Sequence, residues 1–318
     1  MYKMSQYLRS LSSLNKEEMV NFLSSFDTVL TDGDGVLWYW QTSMKDSINV
    51  INRFKELGKK VFLVSNNCVN TVDQYVMKCE AAGLNLTRDE IIIPSIVAAS
   101  HLKDQNFSKK AYVLATPAFK EMLKADGIVC SDDVGVRYFF FILSYFQLPD
   151  YEVQIGNVQE EIMKMDRDVG AVVIDFDNNI NYIKMTKALF HLKRPNCLFV
   201  AGAKDLVVPI HKDLNLIGPG HFVSNLEQLS GRKAVITGKP STLIKDFISK
   251  RHPINPERTL MIGDLLSSDI KLGTNCGFQT LLVLSGASTL EEAKNDSTNL
   301  PHYYINSLGD LLPLLPSV

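Results

Sequence analysis

The chain contains few cysteines, and they are widely spaced. Five cysteines among 318 residues stand at positions 68, 79, 130, 197 and 276. Their number is odd and no two of them form a C-x-x-C pair, so the sequence indicates neither a zinc cluster nor a disulfide framework. We therefore expect a reducing compartment and predict that the protein is cytoplasmic.

The chain also lacks long apolar segments and an excess of positive charge. Its longest apolar run, residues 138–146, is shorter than the roughly 20 residues that a membrane-spanning helix needs. Residues 1–9 contain no apolar core of a secretory signal, so we expect no leader peptide. The formal net charge is −2, whereas a nucleic-acid-binding domain usually has a basic face. We therefore predict no membrane partner and no nucleic-acid partner.

What the sequence has instead is a repeated alternation of apolar strands and helices. Hydrophobic residues make up 46% of the chain and charged residues 21%, which is enough for a sizeable core. Residues 28–31 and 60–64 are continuous β-prone runs, and segments with helical spacing follow them. This alternation is typical of a parallel sheet that is covered by helices.

A second series of strands and helices begins after the polar run 106–110. Because it has its own α/β pattern, we predict an α/β fold in which one domain is inserted into another. The predicted core comprises residues 1–107 and 234–318. The predicted inserted domain comprises residues 108–233.

Two aspartates follow the first predicted strand. Asp32 and Asp34 come directly after it, and Gly33 and Gly35 alternate with them. Two carboxylates this close repel each other unless a cation lies between them, and Mg²⁺ often takes one or two carboxylates together with a substrate phosphate. A carboxylate can also act as a nucleophile and form an aspartyl-phosphate. The alternative is a solvated turn, since Asp and Gly dominate turns, and this stretch alone leaves both interpretations open.

Three further predicted strands also end in polar side chains. These side chains are Ser65 and Asn66, Lys239, and Asp264 with Asp269. Each set has a structural explanation of its own: a turn, a solvated lysine or a helix cap. Ligands bind at the carboxyl ends of strands in open α/β sheets, so all four sets at the ends of successive buried strands favour one phosphate site.

Phosphoryl transfer would give each of these residues a task. Asp32 would attack phosphorus, and Asp34 would protonate the leaving alkoxide and later help to deprotonate water. Ser65, Asn66 and nearby backbone N–H groups would hold phosphoryl oxygens. Lys239 would neutralise charge on the phosphate and on Asp32.

The acids would also form a metal site. Asp264 would bind Mg²⁺ together with Asp32 and the backbone carbonyl of Asp34. Asp269 would support this arrangement. We therefore predict Mg²⁺ as the cofactor.

The four motifs resemble those of the haloacid dehalogenase-like phosphatases. They read Asp32-Gly-Asp34-Gly-Val-Leu-Trp38, Ser65-Asn-Asn67, Gly238-Lys-Pro240 and Gly263-Asp264-x4-Asp269. Segments 169–173, 254–259 and 284–289 are similar to the branch that contains phosphoglycolate, pyridoxal phosphate and 4-nitrophenyl phosphatases. The resemblance extends over nearly the whole chain.

This resemblance implies a Rossmann-like parallel-sheet core with a large α/β cap domain inserted between the second and third motifs. It also implies bound Mg²⁺, a cytosolic setting and, commonly, a homodimer formed through the cap. Its substrates would be small phosphorylated metabolites.

Several positions depart from the usual pattern of that branch. Leu265 and Ser267 replace an arginine and the middle acid of the fourth motif, while the two flanking acids remain. In the predicted cap, Asn179 stands where a substrate-facing histidine is common. Ala203 lies in a Thr-Asn-x-Asp-like stretch of which only Asp205 is present. Contacts to the leaving group decide specificity. Because of these changes, the resemblance does not identify the substrate.

Two functions follow as hypotheses. The first is a Mg²⁺-dependent phosphatase that hydrolyses small phosphate monoesters through an aspartyl-phosphate on Asp32. Its substrates would resemble phosphoglycolate or pyridoxal phosphate, and 4-nitrophenyl phosphate would serve as an artificial substrate. The alternative is a weakly active paralogue that acts as a phosphate-ligand binder or a dimeric partner, and the changes at Leu265, Ser267 and the cap motivate it.

Overall fold

The computed structural model of the protein describes residues 8–39, 42–131, 159–211 and 214–316. The apolar run 138–146 lies outside these segments. Within them, no helix combines the length and the apolar character that are needed to cross a bilayer.

The chain divides into two compact units. The first unit comprises residues 1–97 and 237–318, and the second comprises residues 98–236. The second unit is therefore inserted, along the sequence, into the first. The domain boundaries expected from the sequence, at 107/108 and 233/234, stay predictions.

Short strands and helices alternate along both units. In chain order the strands are β1 (Arg9–Ser10), β2 (Thr28–Thr31), β3 (Trp38–Tyr39), β4 (Thr42–Ser43), β5 (Lys60–Val64), β6 (Ile91–Ile92), β7 (Lys110–Leu114), β8 (Val169–Ile174), β9 (Leu198–Ala201), β10 (Val207–His211), β11 (Leu214–Ile217), β12 (Val235–Ile236), β13 (Thr259–Gly263), β14 (Gln279–Val283) and β15 (Tyr303–Ile305). The labelled α-helices are α1 (Lys16–Ser24), α2 (Ser47–Glu56), α3 (Val72–Ala81), α4 (Pro94–Asp104), α5 (Pro117–Ala125), α6 (Tyr182–Leu192), α7 (Pro219–Ser230), α8 (Leu243–Ser249), α9 (Lys271–Cys276) and α10 (Leu290–Asn295). A π-helical turn, Leu266–Ile270, precedes α9.

The first unit is built on a seven-stranded sheet. Its strand order is β1-β15-β14-β13-β2-β5-β6, and every neighbouring pair is parallel. The central strands β2 and β13 are buried along their whole length, as parallel strands between helical layers must be. Leu30, Phe62 and Met261 of this sheet pack with Phe247 of α8 in one hydrophobic core. The predicted α/β fold with a parallel-sheet core is confirmed.

Local signals fix the beginnings of the helices around this sheet. The Asn15 side chain accepts the Glu18 N–H at 3.0 Å, and the Glu18 carboxylate accepts the Asn15 N–H at 3.0 Å. This reciprocal capping box satisfies two donors that the first turn leaves without an intrahelical partner. Thr71 and Gln74 form the same arrangement at the start of α3.

The second unit has its own parallel sheet and core. Its four strands lie in the order β12-β9-β8-β7, and β10 and β11 form an antiparallel hairpin. Tyr112, Val172 and Phe199 pack against Leu192 of α6 and Leu226 of α7. The hairpin and α7 were not predicted.

One part of the sequence-based interpretation is wrong. We expected Lys239 to follow a buried strand in the same sheet as the other site residues, but β12 pairs with β9 in the sheet of the second unit. Val235 is 39% exposed, so this strand is not a buried central one. The two-residue apolar run favours a strand, but it carries no information about the sheet that the strand joins.

Candidate active site

Three neighbouring strands of the first unit bring polar residues to one sheet edge. β2 lies between β13 and β5, so the residues that follow these strands, Asp264, Asp32 and Ser65, leave the sheet side by side. The Asp32 N–H donates to the Ile262 carbonyl at 2.9 Å and continues the strand ladder to the start of the loop. The convergence of these three residues follows from the parallel order of the strands.

A cluster of three buried carboxylates lies at this edge. Asp32, Asp264 and Asp269 each offer an oxygen, and these oxygens lie within 4.8 Å of one another. Burial raises the pKa of Asp32 well above its usual range; Lys239 opposes this rise, and the charges of Asp269 and Asp264 add to it. Burial and the Asp269 charge raise the pKa of Asp264 to about 7. Asp32 and Asp264 therefore hold protons more tightly than carboxylates in water do.

Lys239 supplies positive charge to this cluster. Its Nζ lies 2.9 Å from Asp32 Oδ1 and 2.7 Å from Asp269 Oδ1, and the residue is only 3% exposed. Burial lowers the pKa of Lys239, but the Asp269 and Asp32 carboxylates raise it by more, so its pKa lies above the usual range. Lys239 is therefore a fixed cation between two acids.

Asn66 holds the backbone of Lys239 in place. The Lys239 N–H donates to Asn66 Oδ1 at 2.7 Å, and Asn66 Nδ2 donates to the Lys239 carbonyl at 3.2 Å. The Asn66 carboxamide thus pairs with both the N–H and the carbonyl of Lys239, as the backbone of a neighbouring strand would. This contact brings Lys239 to the sheet edge although β12 belongs to the other sheet.

Glycines clear the space around Asp264. Gly35 has a φ of +83°, which favours glycine, and a Cβ at this position would lie 2.5 Å from Asp264 Oδ2. A Cβ at Gly286 would lie 2.0 Å from the same oxygen. Both distances are too short for a real side chain, so the loops after β2 and β14 approach Asp264 only because they carry glycine.

Backbone donors orient the two acids of the fourth motif. Asp264 Oδ2 accepts the Ala287 N–H at 2.7 Å, and Asp269 Oδ2 accepts the Leu265 N–H at 3.0 Å. Leu265 therefore makes this contact through its backbone, which an arginine at this position would also supply. Ser267 is exposed. The loop after β14 was not among the predicted site residues, although its Ser-Gly pair at a strand end resembles the other turns.

Asp34 stands apart from the carboxylate cluster. It is half-buried, and its Oδ2 accepts a long hydrogen bond, 3.4 Å, from Asn67 Nδ2. The backbone carbonyl of Gly35, the next residue, accepts the Ser285 hydroxyl at 2.8 Å. The loop that carries Asp34 is therefore fixed from two sides.

Ser65 is buried beside the same loop. Its Oγ accepts the Asn67 N–H at 3.1 Å and lies 3.3 Å from the Tyr75 hydroxyl. The sequence identified the Ser-Asn-Asn motif but did not assign tasks to Asn67 or Tyr75. Tyr75 lies on α3 and is fully buried, and a buried position on a helix is typical of an ordinary core residue.

The remaining departures lie in the second unit. Asn179 is exposed, and its N–H donates to Asp177 Oδ1 at 2.8 Å. Ala203 is 1% exposed. Asp177 also pairs with Lys184 at 2.8 Å, and both side chains are largely buried.

The residues present fit a hard divalent cation. The cluster brings together three carboxylates, Lys239 contacts two of them, and raised pKa values at Asp32 and Asp264 are typical of acids that lack sufficient positive charge. Oxygen donors of this kind suit Mg²⁺. Among the parts of the chain that the structure describes, this is the one group of three or more potential metal-ligating side chains.

Comparisons with known proteins agree with this geometry. A family model of haloacid dehalogenase-like hydrolases matches residues 29–129, and a second model of HAD-hydrolase-like proteins matches residues 236–311. Glycerol-3-phosphate phosphatase of Homo sapiens is 33% identical over 318 residues and covers 95% of each chain. Phosphoglycolate phosphatase 1A of Arabidopsis thaliana is 30% identical and covers 96% of this chain and 81% of its own.

A solved structure shows the same fold. The 4-nitrophenylphosphatase of Thermotoga maritima superposes with a TM-score of 0.73 at 25% identity and covers 92% of this chain and 98% of its own. The resemblance predicted from the four motifs is thereby confirmed. The chain belongs to the haloacid dehalogenase-like hydrolases, in the branch of phosphatases that these relatives represent.

Proposed function

We propose that the chain hydrolyses small phosphate monoesters with the help of Mg²⁺ through an aspartyl-phosphate on Asp32. The contact of Asp32 with Lys239 inside the buried carboxylate cluster is the observation that carries this proposal. It supplies a nucleophile, a fixed cation and a potential metal site within a few ångströms. The family and its named relatives support the same reaction class.

The contacts of Asp32 assign different tasks to its two oxygens. Oδ1 lies 2.9 Å from Lys239 Nζ and accepts the Gly33 N–H at 2.7 Å. Oδ2 is therefore the atom that attacks phosphorus. As the new bond from Asp32 to phosphorus forms, the bond from phosphorus to the leaving oxygen breaks, and Asp34 gives its proton to that oxygen. In the second step Asp34 takes a proton from water, the water attacks phosphorus, and the Asp32 carboxylate is regenerated.

The surrounding groups stabilise charge during both steps. Lys239 lies where it balances charge on Asp32 and on the transferred phosphoryl group. Ser65 remains our candidate for a direct phosphoryl contact. Asn66, which was predicted to contact phosphate as well, acts in this proposal by holding the backbone of Lys239.

Asp32, Asp264 and the backbone carbonyl of Asp34 would hold the Mg²⁺ ion, with Asp269 in support. When bound, the ion would neutralise the acids and polarise the phosphoryl oxygens. The raised pKa of Asp264, about 7, describes the cluster without this charge. We propose alkyl phosphates similar to phosphoglycolate as physiological substrates, because relatives named for glycerol 3-phosphate and phosphoglycolate cover nearly the whole chain. Pyridoxal phosphate stays a second substrate to test.

A homodimer through the cap and a cytoplasmic location also remain proposals. The hairpin of the second unit exposes apolar side chains, including Val207 and Ile217, which is compatible with a contact between copies. Light scattering after size-exclusion chromatography measures the mass directly. Either a dimer or a monomer leaves the proposed chemistry unchanged, because the described groups of the carboxylate cluster come from one chain.

The alternative function, a weakly active phosphate binder, gains no support from the departures at Leu265 and Ser267. Leu265 holds Asp269 through its backbone N–H, and Ser267 is exposed. The side chains of both residues can change without removing the contacts described above.

The test is phosphate release from 4-nitrophenyl phosphate with and without Mg²⁺. We expect Mg²⁺-dependent release by the natural protein and its loss in Asp32→Asn. Asp27→Asn is the matched control, because Asp27 lies at the opposite end of β2 and forms an exposed pair with Arg258. Release without Mg²⁺, or equal release by the natural protein and Asp32→Asn, would contradict the proposal. A folded natural protein without activity would favour the phosphate binder.

A further inference from the structure

The long hydrogen bond from Asn67 to Asp34 depends on how Asn67 is held. Asn67 Oδ1 accepts the Val69 N–H at 3.0 Å. Because this contact fixes the carboxamide oxygen, the Nδ2 donor is turned toward Asp34 Oδ2. The orientation of the Asp34 carboxylate is thus linked to the conformation of the loop after β5.

The hydroxyl of Tyr75 holds this loop in place. Its hydroxyl donates to the Asn67 carbonyl at 2.9 Å and lies 3.3 Å from Ser65 Oγ. Ser65 Oγ in turn accepts the Asn67 N–H at 3.1 Å. The two polar backbone atoms of Asn67 are therefore both held, one by Ser65 and one by Tyr75.

The position of Tyr75 is itself well defined. It lies one turn after the start of α3, where the capping box of Thr71 and Gln74 fixes the first turn of the helix. The ring is fully buried. Burial raises the pKa of Tyr75 well above its usual range, and the nearby charge of Asp34 raises it further, so the hydroxyl stays protonated and able to donate.

We propose that Tyr75 is a positioning residue for the general acid: its hydroxyl holds the Asn67 carbonyl so that the Asn67 carboxamide aligns the Asp34 carboxylate with the leaving oxygen. This inference rests on the proposed phosphatase mechanism, in which Asp34 is the acid. Tyr75 touches neither phosphate nor metal in this account. Its effect on Asp34 passes through Asn67.

The inference predicts a dependence on the leaving group. Phenolate is a poorer leaving group than 4-nitrophenolate, so phenyl phosphate needs the proton from Asp34 more than 4-nitrophenyl phosphate does. General acid catalysis contributes about 10²–10⁴-fold. A misaligned acid should therefore cost roughly tenfold more kcat/KM on phenyl phosphate than on 4-nitrophenyl phosphate, although the two substrates have nearly the same shape.

The experiment compares kcat/KM of four proteins on both substrates with Mg²⁺ present. These proteins are the natural chain, Tyr75→Phe, Asp34→Asn and the control Tyr112→Phe. Tyr112 is a fully buried tyrosine of the second unit whose hydroxyl also donates to a backbone carbonyl, that of Lys184 at 3.2 Å. We expect Tyr75→Phe to show the leaving-group selectivity of Asp34→Asn in weaker form, and Tyr112→Phe to affect both substrates equally.

The outcomes separate this inference from the proposed function. If the natural protein hydrolyses neither substrate, the proposed function fails and this inference fails with it. If the natural protein is active and Tyr75→Phe lowers both rates by the same factor, only the inference about Tyr75 is overturned, because a general structural defect does not discriminate between leaving groups.

A double-mutant cycle covers the case in which Tyr75→Phe also loses stability. Asn67→Ala removes the donor to Asp34, so Tyr75→Phe should add no further leaving-group selectivity in the Asn67→Ala background. Selectivities that multiply in the double variant would show that Tyr75 acts independently of Asn67 and would overturn the proposed route.

Discussion

Both parallel sheets of this protein place a buried aspartate directly after a strand, yet only one of these aspartates lies in a carboxylate cluster. Asp32 follows β2 and accepts the N–H of the next residue at 2.7 Å. Asp175 follows β8 and accepts the Phe176 N–H at 2.8 Å. A glycine approaches an aspartate at each sheet edge: a Cβ at Gly35 would lie 2.5 Å from Oδ2 of Asp264, the neighbour of Asp32 in the cluster, and a Cβ at Gly202 would lie 2.2 Å from Asp175 Oδ2.

The difference lies in what the neighbouring strands contribute. Next to Asp32, the strand β13 leads to Asp264 and Asp269, and Asn66 after β5 holds Lys239. In the described part of the second unit, Asp175 does not belong to a group of three potential metal-ligating side chains. An aspartate at a strand end is therefore a common structural feature, and the convergence of acids and a lysine from several strands is what favours chemistry.

Replacing each aspartate in turn tests this comparison with the largest expected effect. Asp32→Asn should lower kcat by on the order of 10³-fold or more, because it removes the proposed nucleophile. Asp175→Asn should lower kcat by less than about tenfold, because a carboxamide oxygen can still accept the Phe176 N–H. Steady-state rates on 4-nitrophenyl phosphate check both values, and a similar loss in the two variants would show that the comparison is mistaken.

Two of the buried lysines, Lys239 and Lys187, form a second matched pair. Lys239→Met should lower kcat by about 10²–10³-fold, as the loss of a group that stabilises transition-state charge does. Lys187 is also fully buried and pairs with Glu161 at 2.9 Å in the second unit. Lys187→Met should lower the melting temperature while kcat stays within a few-fold of the natural value. Thermal unfolding and kinetics on the same samples separate the two effects.

Two of the glycines that approach aspartates give a third pair. Gly286→Ala places a methyl group against Asp264 Oδ2, so we expect the Mg²⁺ affinity to fall about 10–100-fold, as changes next to metal ligands do. Gly202→Ala places a methyl group against Asp175 and should leave the Mg²⁺ affinity unchanged. Titration calorimetry measures both affinities, and an unchanged affinity in Gly286→Ala would argue against a metal site at Asp264.

The smallest expected effect is a dependence of Mg²⁺ affinity on pH. Only the ionised Asp264 can bind the ion, and its pKa is about 7, so affinity should fall by up to about tenfold between pH 7.5 and pH 6. In the metal-free protein, folded Asp264 binds a proton more tightly than the unfolded chain does. The free energy of unfolding should therefore fall as pH rises from the usual carboxyl range to about 7, and saturating Mg²⁺ should remove this dependence.

Glu227 of the second unit is the control for this pH effect, because its pKa is shifted in the opposite direction. Burial would raise the pKa of Glu227, but hydrogen bonds from Lys204, the Ala234 N–H and Lys233 lower it by more, so its pKa lies below the usual range. Glu227 thus stays ionised over the same pH interval. Denaturant unfolding of Asp264→Asn and Glu227→Gln between pH 5 and 8 should show that the metal-free pH dependence becomes weaker in the Asp264 variant and is unchanged in the Glu227 variant.

Much of the fold followed from the sequence because each element carries its own signal. The apolar runs of β2 and β5 end at polar residues, and their bounds agree with the predictions. The strand ends also predicted that Asp32 and Asp264 meet, since neighbouring parallel strands leave a sheet at the same edge.

Other features depend on contacts that no local pattern records. The two residues of β12 join the sheet of the second unit, and Lys239 is held at the carboxylate cluster by hydrogen bonds between its backbone and the Asn66 side chain. The hairpin of β10 and β11 was missed because Pro209 within its first strand argues against a ladder position. Tyr75 carries no signal in sequence, because a buried tyrosine on a helix is typical of any core.

The central claim is that phosphate is transferred to Asp32, and the most direct measurement is to trap the acyl-phosphate. Natural protein turning over 4-nitrophenyl phosphate with Mg²⁺ is quenched and treated with borohydride, which reduces an acyl-phosphate to an alcohol and so converts an aspartyl-phosphate to homoserine. Peptide mass spectrometry should find homoserine at position 32, and no conversion at Asp27 or Asp175. Rapid turnover with an unmodified Asp32, or homoserine at another aspartate, would contradict the account.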